Sequence, residues 1–441
     1  MPYLPCTTAV MLSLLGFLTI IVFLILIISR KLSVLLSLIL IPVLFALIGG
    51  FSAKEIGEMI ITGLTKVAPT GIMLIFAVLY FAIMIDAGLF DPMISGIIKI
   101  VKGDPLKITI GTALLAMLVH LDGDGTATFM ITISALLPIY KKLGMHKMVL
   151  PCIVALSVGV MHLVPWSGTM ARAMNVMQAD TRHFLVPLLP SMFAGIVWVL
   201  FVAWYMGKKE RKRLGISEID YDHVRELSAE QKHMRRPKLV WFNLILTIVL
   251  IIALVMAWLP LPALFIIAFA IALLVNYPSQ SDQKKRLAAH AGNAFFVSLM
   301  IFAAGIFSGI LSGTKMIDAM AVSLVSLVPH EHAGYLPAIV GVTSMPLSFA
   351  FTPDAYYYGV LPVLKTAAIH YEMNPLEMGM AAVLGQMTVG FPLSPLTAST
   401  FVLVGLSEVE LADHQKFTFK WAFGTTLVML LVALLTGAIH I

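Results

Sequence analysis

Charge is scarce in this 441-residue sequence. Asp, Glu, Lys and Arg make up 12% of it, against roughly 25% in soluble domains, which excludes an ordinary soluble protein. Two cysteines, Cys6 in the N-terminal tail and Cys152 in an apolar run, are too few for a disulfide framework. A zinc-protease helix motif, a phosphate loop and a convincing nucleophile triad are all missing, which removes the usual sequence grounds for an enzyme. So are the ~10-residue alternating segments of a β-barrel. What is present is apolar: 60% of residues are hydrophobic and mean hydropathy is +0.97. The expected fold class is an all-α polytopic membrane protein. The formal charge of +6 lies mostly in loops, where it sets orientation by the positive-inside rule and does not indicate nucleic acid. The first apolar segment lacks a basic n-region and a cleavage site, so a retained span is expected, with Met11 the more natural start.

The chain is organised around Asp122-Gly123-Asp124-Gly125-Thr126, two acids and two glycines between apolar arms. Each arm, within 108–139, holds about 12 to 14 residues, or roughly 20 Å of helix, where a span needs ~30 Å. A re-entrant hairpin with an unwound tip is therefore expected. Such backbone is tolerated at membrane depth only where it lines a protein-enclosed or watery cavity. Acids there mark a functional site.

In order, spans are expected at 10–29, 32–50 and 67–87, with the polar stretch Ser52 to Lys66 outside and a short interfacial helix at 92–102. The hairpin comes next. A broken helix at 148–170 is interrupted by Gly159 and by Pro165-Trp166-Ser167-Gly168-Thr169. A span at 186–206 completes a first unit, 1–206. Residues 207–238 carry ten Lys and Arg and read as a cytoplasmic linker too short to bury a core. A second unit, 239–441, repeats the plan, with spans at 239–258, 261–277, 293–312 and 420–439. Its hairpin lies at 336–364, breaking at Thr352-Pro353-Asp354, and its broken helix at 376–397, interrupted at Gly390 to Pro395.

The repeat is legible in the letters. Ile75-Phe76-Ala77 answers Ile301-Phe302-Ala303, Leu137-Pro138-Ile139 answers Leu361-Pro362-Val363, and Pro165-Trp166-Ser167 answers Pro392-Leu393-Ser394. Five spans per unit put the second unit upside down. The expectation is two inverted repeats with about ten transmembrane helices, two re-entrant hairpins and two broken helices. The binding site would lie at the repeat interface near the bilayer midplane.

Half-helix N-termini there suit carboxylates. Backbone at Gly123, Gly125 and Gly168, hydroxyls of Thr126, Thr128, Ser167, Thr169, Thr352, Ser394 and Thr397, and possible contacts from Arg172 and Tyr356 form the candidate substrate set. Asp122, Asp124 and Asp354 would repel an anion unless a proton or a cation intervenes; they are the metal or proton candidates. His120 and His162, next to the breaks, read as helix-packing or water-bonded residues, with proton shuttling the alternative. Tyr356-Tyr357-Tyr358 read as an interface belt, with Tyr356 alternatively a substrate contact. His330-Glu331-His332 reads as a solvated loop, because residues two apart share no helix face.

Leu121 to Thr126, Leu137-Pro138-Ile139-Tyr140-Lys141, Pro165-Trp166-Ser167-Gly168 with Ala171-Arg172-Ala173, Gly88-Leu89-Phe90-Asp91 and Thr352 to Gly359 resemble the citrate–divalent-metal:proton symporter family (CitMHS), over nearly the whole chain from Met11. The resemblance implies uptake of citrate complexed with Mg²⁺ or Ca²⁺ together with protons, by an elevator-like homodimer in the inner (plasma) membrane. The metal would be part of the cargo, with no resident cofactor. The alternative reading is a sodium- or proton-coupled carrier of free di- or tricarboxylates or gluconate. A membrane-embedded metal enzyme and a channel are further alternatives, which citrate turnover or proton-independent conductance would separate.

Overall fold

The computed structural model describes residues 6–29, 31–93, 96, 103–216, 233–256, 258–325 and 330–440. All regular structure among them is helical. The chain opens with α1 (Cys6–Ile28), α2 (Val34–Ile48) and α3 (Ala53–Ala87). Two interrupted pairs follow, α4 (Pro105–Val119) with α5 (Gly125–Lys142), and α6 (Val149–Met161) with α7 (Gly168–Met177), before α8 (Leu189–Leu214). The second part runs α9 (Val240–Val255), α10 (Leu261–Asn276), α11 (Gln280–Gly313) and α12 (Met316–Val325). Its interrupted pairs are α13 (Leu336–Leu347) with α14 (Leu361–His370), and α15 (Leu376–Val383) with α16 (Ala398–Leu406); α17 (Leu411–Leu435) ends the bundle. Six helical segments among the described residues are long and apolar enough to cross a membrane, and four more apolar helices are shorter. This is an all-helical, polytopic membrane fold.

Three expected boundaries move. The polar stretch Ser52 to Lys66 is not a separate outer segment but the start of α3, a 35-residue helix. A capping box starts it: Ser52 Oγ accepts from the Glu55 N–H while Glu55 Oε2 accepts from the Ser52 N–H. Gly88, at φ 86°, stops it. The partner α11, 34 residues long, likewise extends well before 293. The two helices cross on glycines: a Cβ on Gly63 would lie 2.1 Å from Gly305 O and 3.0 Å from Gly309 Cα, the close approach that small residues permit. Finally, α8 runs to Leu214 and takes up the first eight residues of the expected linker, its last turn carrying Arg211, Lys212 and Arg213, cations that favour a helix C-terminus. Residues 217–232 of that linker, and most of the expected interfacial helix at 92–102, lie outside the described residues.

The first interrupted pair is longer than its sequence suggests, with arms of 15 and 18 residues. Asp104 caps the first arm, with Pro105 at its opening position, so the helix starts before 108. The arms fold back on each other, with Thr112 and Tyr140 hydroxyls 2.9 Å apart. Both outer ends reach the linker end of α8. Arg211 meets Asp104 at 2.7 Å, and Glu210 accepts from the His146 N–H at 2.9 Å.

On the same face, Arg235 pairs with Asp91 at 2.7 Å, and Arg286 and His290 pair with Asp86. Asp91 is therefore a span-end residue held by the linker, away from the breaks. Lys315 and Asp318 pair at 3.5 Å.

Candidate substrate site

At the first break the chain leaves α4 through a 3₁₀ turn, His120–Asp122, and reverses at Gly123, whose φ of 77° favours glycine. Asp122 Oδ1 accepts from the Asp124 N–H at 2.9 Å, and Asp124, the N-cap of α5, accepts from the Thr126 N–H at 2.9 Å. The tip is thus a pair of acids stacked on consecutive backbone turns. Asp122 is buried, and no Lys, Arg or His side chain lies within ion-pair distance of it among the described residues. Thr128 donates to Asp124 O and bonds His120 Nδ1, both at 2.9 Å.

Two other breaks converge on this tip. Trp166, in the α6–α7 break, donates from Nε1 to Leu121 O at 2.7 Å. Its neighbour Ser167 caps α7 and donates to His162 O. A Cβ on Gly123 would meet Trp166 and Ser167 at 3.3 and 3.4 Å. From the second half, Phe391 sits so close that a Cβ on Gly125 would lie 2.5 Å from its ring. Thr126 and Ser399 bond hydroxyl to hydroxyl at 2.8 Å. The two broken helices touch at Gly159 and Val389, and Thr169 donates to Met387 O at 2.9 Å.

The break between α13 and α14 is tied to the α6–α7 break through one ion pair. Asp354 Oδ1 accepts from Arg172 Nε at 2.7 Å, with both side chains largely buried. Arg172 also donates to Gly168 O at 2.8 Å. Thr352 Oγ1 accepts from the Ala355 N–H, and the Tyr356 to Tyr358 run forms a π-helical turn.

Most of the candidate residues are therefore brought together. Gly123, Gly125, Thr126, Thr128, Ser167 and Gly168 surround the acid pair, and Arg172, Thr352 and Asp354 form a second group one helix away. Ser394 and Thr397 belong to the second broken helix, with hydroxyls committed to Ser348 O and Phe391 O. Ser167 and Thr169 are likewise spent on carbonyls. The tyrosine belt is a misreading: Tyr356, Tyr357 and Tyr358 are 1%, 0% and 1% exposed, packed behind the break and not at a membrane surface.

Further residues join the breaks. His120 Nε2 and His162 Nδ1 lie 2.8 Å apart with stacked rings, so the expected packing histidines form a pair that ties hairpin to broken helix. Gln386 carries no motif in the sequence; its side-chain nitrogen and the Tyr358 hydroxyl are buried without a hydrogen-bond partner among the described residues. A lone glutamine in an apolar run beside a break was the available signal. No group of three or more His, Cys, Asp or Glu that could hold a metal ion occurs among the described residues.

Paired helix interruptions meeting inside a polytopic helical bundle define a membrane transporter. A family model described as "Citrate transporter" matches residues 24–385, and the chain belongs to that family. It is 55% identical over 97% of its length, and all of the relative's, to a "Citrate transporter" of Bacillus subtilis (strain 168). It is 49% identical over 98% of its length, and all of the relative's, to the "Mg(2+)/citrate complex secondary transporter" of that organism. Among solved structures, the YdaH transporter of Alcanivorax borkumensis aligns with TM-score 0.60 over 87% of this chain and 89% of that one; at 13% identity it speaks for the fold alone. The protein is accordingly a secondary transporter, not an enzyme, and a multi-pass protein of the inner membrane.

Proposed function

We propose that this chain takes up citrate complexed with a divalent metal of the Mg²⁺ or Ca²⁺ type, coupled to protons. The observation that carries this reading is the buried, unpaired Asp122 beside Asp124 at the meeting point of the breaks. A buried carboxylate without a counter-charge is costly. A proton or a cation removes that cost, and a metal–citrate complex supplies the cation with its anion. Citrate carries about three negative charges at neutral pH and its divalent complex about one. Two unit charges 5 Å apart repel by about 3 kcal/mol at an effective dielectric of 20, so arriving as the complex lowers the repulsion severalfold. The 49% identity to a Mg²⁺/citrate transporter supports the same choice of cargo.

In this mechanism Asp122 and Asp124 face the metal or carry the proton. The N–H groups at Gly125 and Gly168, with the hydroxyls of Thr126 and Thr352, hold citrate carboxylates, and Arg172 joins them when it leaves Asp354. Ser167, Thr169, Ser394 and Thr397 prop the breaks open. The hairpins are re-entrant and the two units, 1–206 and 239–441, are inverted repeats. The return of both hairpin ends to the linker face supports this, as does the packing of the repeat-equivalent helices α3 and α11. Transport is elevator-like, in a homodimer, with the linker cytoplasmic. A cysteine at Ser281 then labels only from the inside.

The test is labelled-citrate uptake into proteoliposomes across a panel of divalent cations, with and without a pH gradient. Cation-dependent, gradient-driven accumulation is expected. Vigorous uptake of free citrate in excess chelator would favour the plain carboxylate carrier instead.

A further inference from the structure

The face opposite the linker holds a cavity outside the site just described. One part, about 730 Å³, is lined by Lys66, Asn175, Gln178 and Arg182 among others. An adjoining part of about 270 Å³ shares Lys66, Asn175 and Gln178 and adds Lys365. The two cavities share part of their lining, and the larger is within the size range of small-molecule sites. On α3, Lys66 and Ala87 are 21 residues apart (87 − 66), roughly 31 Å at 1.5 Å per residue. The cavity therefore opens about a bilayer's hydrocarbon thickness away from the Arg235–Asp91 contact.

Its cations are poorly neutralised. Among the described residues neither Lys66 nor Arg182 forms an ion pair, and Lys365 Nζ donates to Val176 O at 2.8 Å. Two acids, Asp180 and Asp318, share the lining with the three cations Lys66, Arg182 and Lys365, and each acid is itself bonded. Asp180 is bonded to the His183 N–H at 2.8 Å and to its ring at 2.9 Å, and Asp318 faces Lys315. Asn175 lies three residues beyond Arg172 (175 − 172) on α7, one turn from the ion pair that closes the second hairpin's tip.

We infer that this cavity is an anion-capture vestibule, which collects a polycarboxylate anion on Lys66, Arg182 and Lys365 before the Arg172–Asp354 pair opens. A concave, positively lined entrance raises the local concentration of anions, and the gain fades as salt screens it. Naming the occupant as metal–citrate rests on the proposed function; the charge of the vestibule does not.

The experiment separates the two. Gln178→Cys, and Asn175→Cys as a second site, are placed in a chain with Cys6 and Cys152 replaced, and each is modified by negatively and positively charged methanethiosulfonates of similar size. Relative to a free thiol, the negative reagent should react about tenfold faster at low salt, the lower end of the gain electrostatic focusing provides. The preference should collapse at high salt and in Lys66→Gln/Lys365→Gln. The same double variant should raise the KM for citrate with Mg²⁺ severalfold more than it changes Vmax. Equal reactivity of the two reagents at both positions, or no labelling from that face, overturns the vestibule whatever the substrate. A preserved charge preference without citrate uptake overturns the proposed function and leaves the vestibule standing.

Discussion

The break at Asp122 and the break at Asp354 are built on opposite electrostatic plans. At the second tip, Asp354 is neutralised across 182 residues of sequence by Arg172. At the first, Asp122 is buried against its own backbone, held among the described residues by the Asp124 N–H alone. A paired tip is a closed contact between the halves. A tip with an uncompensated acid is incomplete until something positive arrives. The difference teaches where the cargo's positive side belongs, and which removals should hurt folding and which only transport.

The largest expected effect lies on the paired tip. Asp354→Asn leaves Arg172 buried without its partner, and breaking a buried pair from one side costs about 3–5 kcal/mol. Melting temperature should fall by several degrees and uptake should be lost. Asp122→Asn removes a charge that has no counter-charge, so melting temperature should stay level or rise. Equal destabilisation by the two substitutions would break the comparison.

Next come the glycines of the first tip. Gly125→Val drives a side chain into Phe391, and Gly123→Val places a branched residue at φ 77°; uptake should be abolished while membrane expression holds. Wild-type transport by both would make this turn an ordinary loop. Asp124→Asn sharpens the comparison further, since it should abolish pH-driven accumulation while the Asn side chain still caps α5. The smallest effect is expected from Ser399→Ala. It deletes one hydroxyl contact to Thr126, about 1 kcal/mol net, and should slow uptake without abolishing it.

Local signals carried much of this site. Gly123 and Gly125 marked one break, Pro165 and Gly168 another, and Pro353 and Pro392 the remaining two, because those residues change what the backbone can do wherever they stand. Helix lengths were less legible: the polar start of α3 looked like a loop until the Ser52–Glu55 box and the glycine contacts with α11 accounted for it. Pairings distant in sequence were not legible at all. Nothing in Arg172 or Asp354 alone says that they meet. The His120–His162 contact and the burial of Tyr356 to Tyr358 likewise depend on how the broken helices cross.

In the proposed mechanism the uncompensated acid at the first tip receives the positive charge that makes citrate transportable. The direct measurement is citrate accumulation by Asp122→Asn in proteoliposomes with Mg²⁺ and an imposed pH gradient, taken beside its melting temperature. The expected result is a protein at least as stable as the native one that no longer concentrates citrate against its gradient. Full gradient-driven accumulation by the folded variant would contradict it.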